Sequence, residues 1–170
     1  MVPNEIAGGP YLAAALFCEK VLKEADGVIS LIRIVDRWTV VGPSEAMPAT
    51  VIQTTLVLLM KSGIHRGSSQ LTIAPFSPSG AALQEVKMST HFEGDDDRGV
   101  GVIAPLAFPV QEPGVYWFDI KIDGQTLTKV PLRVLHQFVA GMQPPNPMEQ
   151  RPPRRRSGTG PAVELTAPRW

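Results

Sequence analysis

Residues Glu112 to Leu135 read EPGVYWFDIKIDGQTLTKVPLRVL, two apolar arms meeting at Asp123-Gly124. In the first arm Tyr116, Phe118, Ile120 and Ile122 alternate with Val115, Trp117, Asp119 and Lys121. In the second, Thr128, Val130, Leu132 and Val134 alternate with Lys129, Pro131, Arg133 and Leu135. Period-two alternation of this kind marks strands with one apolar face. A two-residue loop at Asp123-Gly124 would set Phe118 opposite Lys129 and send the two apolar faces to opposite sides of the sheet, since a one-residue slip reverses every side chain. The reading therefore favours a three-residue turn or a bulge, with Gly124 at positive φ, over the simple type I′ turn that Asp-Gly suggests. Phe118 then pairs with Val130 or Thr128, and Trp117 and Val115 point outward.

The chain around this hairpin has the same character. Val28 to Val41, VISLIRIVDRWTVV, is rich in β-branched residues and apolar at both parities, which predicts one strand covered on both faces. Val51 to Lys61, Ser69 to Phe76 and residues 83 to 92 read as further strands, with Val86, Met88 and Phe92 on one face of the last. From Val100 to Val110 the apolar residues are even-numbered, with Pro105 and Pro109 at the other parity, as on an edge or bent strand; Pro131 suggests the same of the last strand. Only Pro10 to Asp26 has the local propensity of a helix. Seven or eight short strands separated by turns predict an all-β fold, an antiparallel two-sheet sandwich.

At 170 residues the chain suits one domain. Residues 1–9 read as a loose lead, 10–138 as the sandwich, and 139–170 as a disordered tail whose seven prolines and sparse apolar content cannot offset ordering entropy. The tail holds five Arg and two Glu, so the rest, at zero net charge overall, is acidic by three units. That balance argues against a nucleic-acid face on the folded part. The lone Cys18 permits a reducing compartment. The apolar run Tyr11 to Phe17 lacks a preceding basic residue and is too short to span a bilayer, so a cytoplasmic protein with no transmembrane segment is expected.

FCEKVLKEADGVISLIRIVDRWTV, from Phe17, and EPGVYWFDIKIDGQTLTKVPLRV, from Glu112, together resemble an uncharacterised bacterial family of small proteins. In that family a strand ending in a Cys-Glu pair leads through an acidic-Gly turn to a strand ending in Asp-Arg, and an EPGxYxFxIxxDG hairpin closes the domain. The resemblance covers roughly residues 10 to 136. It implies an immunoglobulin-like or C2-like sandwich, makes Leu12 to Val21 a strand despite its helix propensity, and brings no catalytic residue with it.

Chemistry-bearing residues are few. A hydrolytic triad needs a nucleophile, a base and an orienting acid in one pocket. His65, His91 and His136 stand apart from any nucleophile motif and read as structural or exposed, and Cys18 as a small buried hydrophobe. Glu93, Asp95, Asp96 and Asp97 form the one carboxylate cluster; these are calcium-type ligands, but without alternating spacing they fit a solvated hairpin tip. Arg33, Asp36 and Arg37 read as a structural ion-pair group. Trp117 with Val115 is either an exposed patch for a partner or a surface covered by the N-terminal segment. Arg154, Arg155 and Arg156 are the tail's candidates for an acidic partner or anionic lipid, and Arg169-Trp170 for a groove. The expected function is a non-enzymatic binding or scaffold protein for an unknown protein partner, with no cofactor. The alternative is a C2-like module taking calcium or anionic lipid through residues 93–97 and the arginines. A homodimer through edge strands is open.

Overall fold

A computed structural model describes residues 8–94 and 98–140, and every regular element among them is a β-strand. There are nine rather than seven or eight: β1 (Tyr11–Lys23), β2 (Ile29–Val35), β3 (Arg37–Gly42), β4 (Thr50–Lys61), β5 (Arg66–Phe76), β6 (Val86–Glu93), β7 (Gly99–Val110), β8 (Gly114–Ile122) and β9 (Gln125–Phe138). They form a four-stranded sheet ordered β2-β1-β4-β7 and a five-stranded sheet ordered β3-β9-β8-β5-β6. The sheets pack face to face. Phe17 of the first sheet meets Phe118 of the second edge-on at 4.9 Å between ring centroids, and Phe108 meets Phe118 at 5.2 Å.

Alternation explains which face is buried. On β7, Val102, Ala104, Leu106, Phe108 and Val110 are buried while their odd-numbered neighbours are exposed; on β8 and β9, Tyr116, Phe118, Ile120, Val130 and Leu132 join the same core. Pro105 and Pro109 do lie on an edge strand. Pro131 does not, since β9 lies between β8 and β3. Yet β3 pairs only from Arg133 onward, so at Pro131 the strand has β8 as its sole ladder partner and the missing N–H costs no ladder bond.

The hairpin solves its register problem in a way the parity argument half anticipated. Ile122 pairs directly with Gln125, and Asp123 (φ 47°) and Gly124 (φ 82°) are both left-handed, so the rejected two-residue type I′ turn is present. The correction comes next to it. Lys121 pairs with Thr126 and Ile120 with Thr128, leaving Leu127 as a bulge that restores the faces and sets Phe118 opposite Val130.

The stretch from Ile29 to Gly42 departs further from expectation. It is two strands, because the chain bends at Asp36 and crosses from one sheet to the other. Apolar residues at both parities here reflect a change of sheet, not burial on both sides: no residue of β2 is fully buried. β3 joins β9 in parallel, the one exception among the strand pairings to the antiparallel rule expected from the sequence. Residues 11–23 form a strand despite their helix propensity, since β1 has ladder partners on both sides. The readings placed on residues 1–7 and on the tail from 141 lie outside the described residues. No described helix is long and apolar enough to cross a membrane.

Candidate docking surface

The outward residues of the four-stranded sheet are mostly apolar. Along β4, Ile52, Leu56, Leu58 and Met60 point to the core, which turns Val51, Gln53, Thr55, Val57, Leu59 and Lys61 to the other side. Strand pairing sets them in rows. Leu16, Val57 and Ile103 form one; Ala14, Leu59 and Gly101 the next; Cys18, Thr55 and Pro105 a third. Ile34 on β2 extends the third row from opposite Cys18.

Exposure separates this face from a core. Ile34 is 58% exposed, Val51 59% and Ile103 45%, and Tyr11, Leu22, Ile32 and Leu59 are exposed as well. At the centre Val57 is 1% exposed, flanked in its row by Leu16 and Ile103. Large apolar side chains scattered singly over a surface are ordinary; contiguous rows of them are not. Where β1 parts from β4, Glu19, Gln53, Thr55, Pro105 and Ala107 line a cleft of about 390 Å³ at the border of the patch. Burial pushes the Cys18 thiol up, which agrees with a packing role.

This face was legible as apolar but not as open. Leu56-Val57-Leu58-Leu59-Met60 is apolar at both parities, the pattern of a strand covered twice. The five-stranded sheet covers one side. Among the described residues the other is left to solvent.

Trp117 does point outward, 44% exposed, in a row with Phe76 and Pro131 on the outer face of the five-stranded sheet. Strand β1 lies in the other sheet and leaves it uncovered. Val115 is half-buried opposite Arg133. Two residues beyond Trp117, Asp119 is buried with its Oδ1 3.4 Å from Lys129 Nζ, an ion pair without hydrogen-bond geometry. Charges thus border this strip on two sides, and it is narrower than the face opposite. Asp95, Asp96, Asp97, Arg154, Arg155, Arg156 and Arg169-Trp170 lie outside the described residues, while Glu93 at the start of the acidic turn pairs with Arg98. Arg33 pairs with Glu19, and Asp36 with its exposed neighbour Arg37, whose guanidinium holds that carboxyl below its ordinary range.

One grouping escaped the sequence reading because its members come from distant stretches, the β4–β5 connection with the start of β5 and the β8–β9 turn. His65 Nε2 lies 2.8 Å from Ser69 Oγ, and Asp123 sits beside Ser69. The order is wrong for a triad, since the carboxylate addresses the serine side, not the ring's second nitrogen, and Ser69 is buried. The cluster fastens two turns. Asp123 Oδ1 accepts the Gln70 amide at 2.8 Å, and the Asp123 amide donates to the Gln70 carbonyl at 2.9 Å. The Gln70 amide, then the Ser69 hydroxyl and the charge of His65, hold the Asp123 carboxyl below its usual value against desolvation. A lowered folded-state pKa contributes stability above the unfolded aspartate's value, and that contribution is lost as pH falls through the folded value. The melting temperature is therefore expected to fall on acidification below about pH 4. Asp123→Asn, which keeps an acceptor and tolerates positive φ but carries no charge, should flatten that slope by lowering the neutral-pH melting temperature towards the acid value. An unchanged slope in a pH series of thermal melts would show that Asp123 is not the group responsible.

Residues 13–135 match a family of unknown function (DUF6941). No curated protein matches the chain.

Proposed function

Since the chain belongs to that family of unknown function, which brings no activity with it, we propose from its own surface that it is a non-enzymatic binding protein. In this reading it is an immunoglobulin-like or C2-like sandwich that engages a protein partner through the outer face of the four-stranded sheet. The observation that carries it is the continuous set of apolar rows centred on Val57, with Ile34, Leu59 and Ile103 exposed. Contiguous apolar surface of that kind mostly marks an interaction site. It outranks Trp117, whose strip is bordered by Asp119, Lys129 and Arg133. It also outranks the calcium or anionic-lipid alternative at residues 93–97, where Glu93 is already engaged by Arg98.

A photo-crosslinking side chain placed at Ile103, at Trp117 or at Lys87 on the opposite sheet tests the assignment in cells. Protein adducts are expected from position 103 and not from 87. Adducts from 117 alone would move the site to the Trp117 strip, and equal adducts at all positions would remove the proposal.

A further inference from the structure

We propose that the end of the sandwich where β1 begins and β8 turns into β9 is a binding site for a small neutral saccharide. The inference goes beyond the docking reading above and does not depend on it. Three observations carry it: a cavity, polar side chains on the core side of a sheet, and the charges along the lining.

Between the start of β1 in one sheet and the β8–β9 turn in the other lies a cavity of about 840 Å³. That volume falls within the roughly 300–1,000 Å³ of small-molecule sites. Leu12, opposite buried Met60, and Ile122 line it from the core faces of the two sheets. Gly9 and Pro10 form one wall. That wall stands close against the β4–β5 connection, since a Cβ on Gly9, at φ 58°, would be 2.5 Å from the Ser62 carbonyl oxygen.

The core-facing row of β9 changes character as it nears this end. Val134, Leu132 and Val130 are buried and apolar. Thr128 then stands opposite buried Ile120, and Gln125 opposite buried Ile122. Residues directly opposite in an antiparallel ladder share a face. Gln125 and Thr128 differ in parity, so only the Leu127 bulge brings both to the inner side. Both line the cavity, and neither side chain has a hydrogen-bond partner among the described residues. His65 joins them, packed edge-on against buried Phe92 at 5.3 Å between ring centroids. So does Asp123. A carboxylate offers about four lone-pair sites, of which the Gln70 amide and the Ser69 hydroxyl take two.

Charge and polarity select the ligand. Among the described residues no Lys or Arg lines the cavity, so nothing there matches a phosphate or carboxylate group. One carboxylate that already accepts two hydrogen bonds is a poor match for a polyamine. The Gln125 amide and the hydroxyls of Thr126 and Thr128 both donate and accept, as sugar hydroxyls do. Leu12, Ile122 and Leu127 supply apolar surface for the C–H face of a sugar ring. A mostly apolar floor with a few convergent polar groups is the usual make-up of a small-molecule site.

NMR titration of the isotope-labelled full chain with glucose, galactose, mannose, maltose and cellobiose at millimolar concentration decides the matter. Putrescine and inorganic phosphate serve as charged probes. Saturable amide shifts at His65, Gln125 and Thr128 are expected with at least one saccharide and with neither charged probe. Gln125→Leu and Thr128→Val should each raise that dissociation constant about 3- to 10-fold, the loss of one net hydrogen bond. Lys87→Ala, on β6 and outside the cavity, should leave it unchanged. Circular dichroism checks that each variant is folded. No saturable shift with any saccharide, shifts centred elsewhere, or an equal response to either charged probe overturns the inference. An affinity that both cavity variants leave unchanged overturns it as well.

Discussion

Phe118→Ala is expected to cost about 3–5 kcal/mol of stability, the range for emptying a fully buried phenylalanine site. Phe118 has no solvent exposure and lies where the sheets are held together. Its ring meets Phe17 of β1 and Phe108 of β7 edge-on, so its loss removes packing from both layers at once. The neighbours are fixed by strand ladders on each side and can collapse only partly into the gap. For a domain whose total stability is typically about 5–15 kcal/mol, that loss approaches unfolding. Urea titration monitored by intrinsic fluorescence measures it. A loss under about 1 kcal/mol would mean that the core closes over the cavity, contrary to the rigid two-layer packing argued here.

Gly114→Ala should have the next largest effect. Gly114 opens β8 at φ 146°, a conformation that side chains rarely adopt, and a Cβ there would stand 2.6 Å from Pro78 Cβ and 2.7 Å from Cγ. The proline ring cannot rotate aside as a flexible chain would. Its loop must move, and with it the Ser79 amide that donates to Glu112 Oε1 at 3.0 Å. Backbone strain of order 1–3 kcal/mol corresponds to a drop in melting temperature of roughly 3–10 °C for a chain of this size. Gly80→Ala is the comparison, with positive φ (85°) but nothing within 4 Å, so it isolates backbone strain from the collision. Equal losses at both positions would refute the role given to Pro78.

The glycine of the EPG sequence thus has a physical reason that no pattern reveals. Its neighbour in space comes from the turn after β5, on the far side of a strand pair. The Asp123 cluster was hidden in the same way, since Gln70 and His65 approach it only once β5 lies beside β8. The buried tyrosine is intermediate. Its core-facing parity is plain from the sequence, but the donation of its hydroxyl to the Glu112 carbonyl at 3.1 Å is not.

Legible in the sequence alone is the set of apolar faces: even residues on β7, β8 and β9, an even-numbered partner for Phe118 on the second arm, the outward turn of Trp117, and a β-rich domain with Pro105 and Pro109 on an edge or bent strand. These follow from the two-residue period of a strand and the chemistry of proline, both local. Long-range contacts set the rest: the chain changes sheets at Asp36, β3 runs parallel to β9, and Leu127 bulges to reconcile a two-residue turn with the core. They also decide which apolar face receives a second layer. Alternation records that a side of a strand avoids water; it carries no information on what stands there instead. On β4 both sides avoid water, and the fold supplies a covering layer for one.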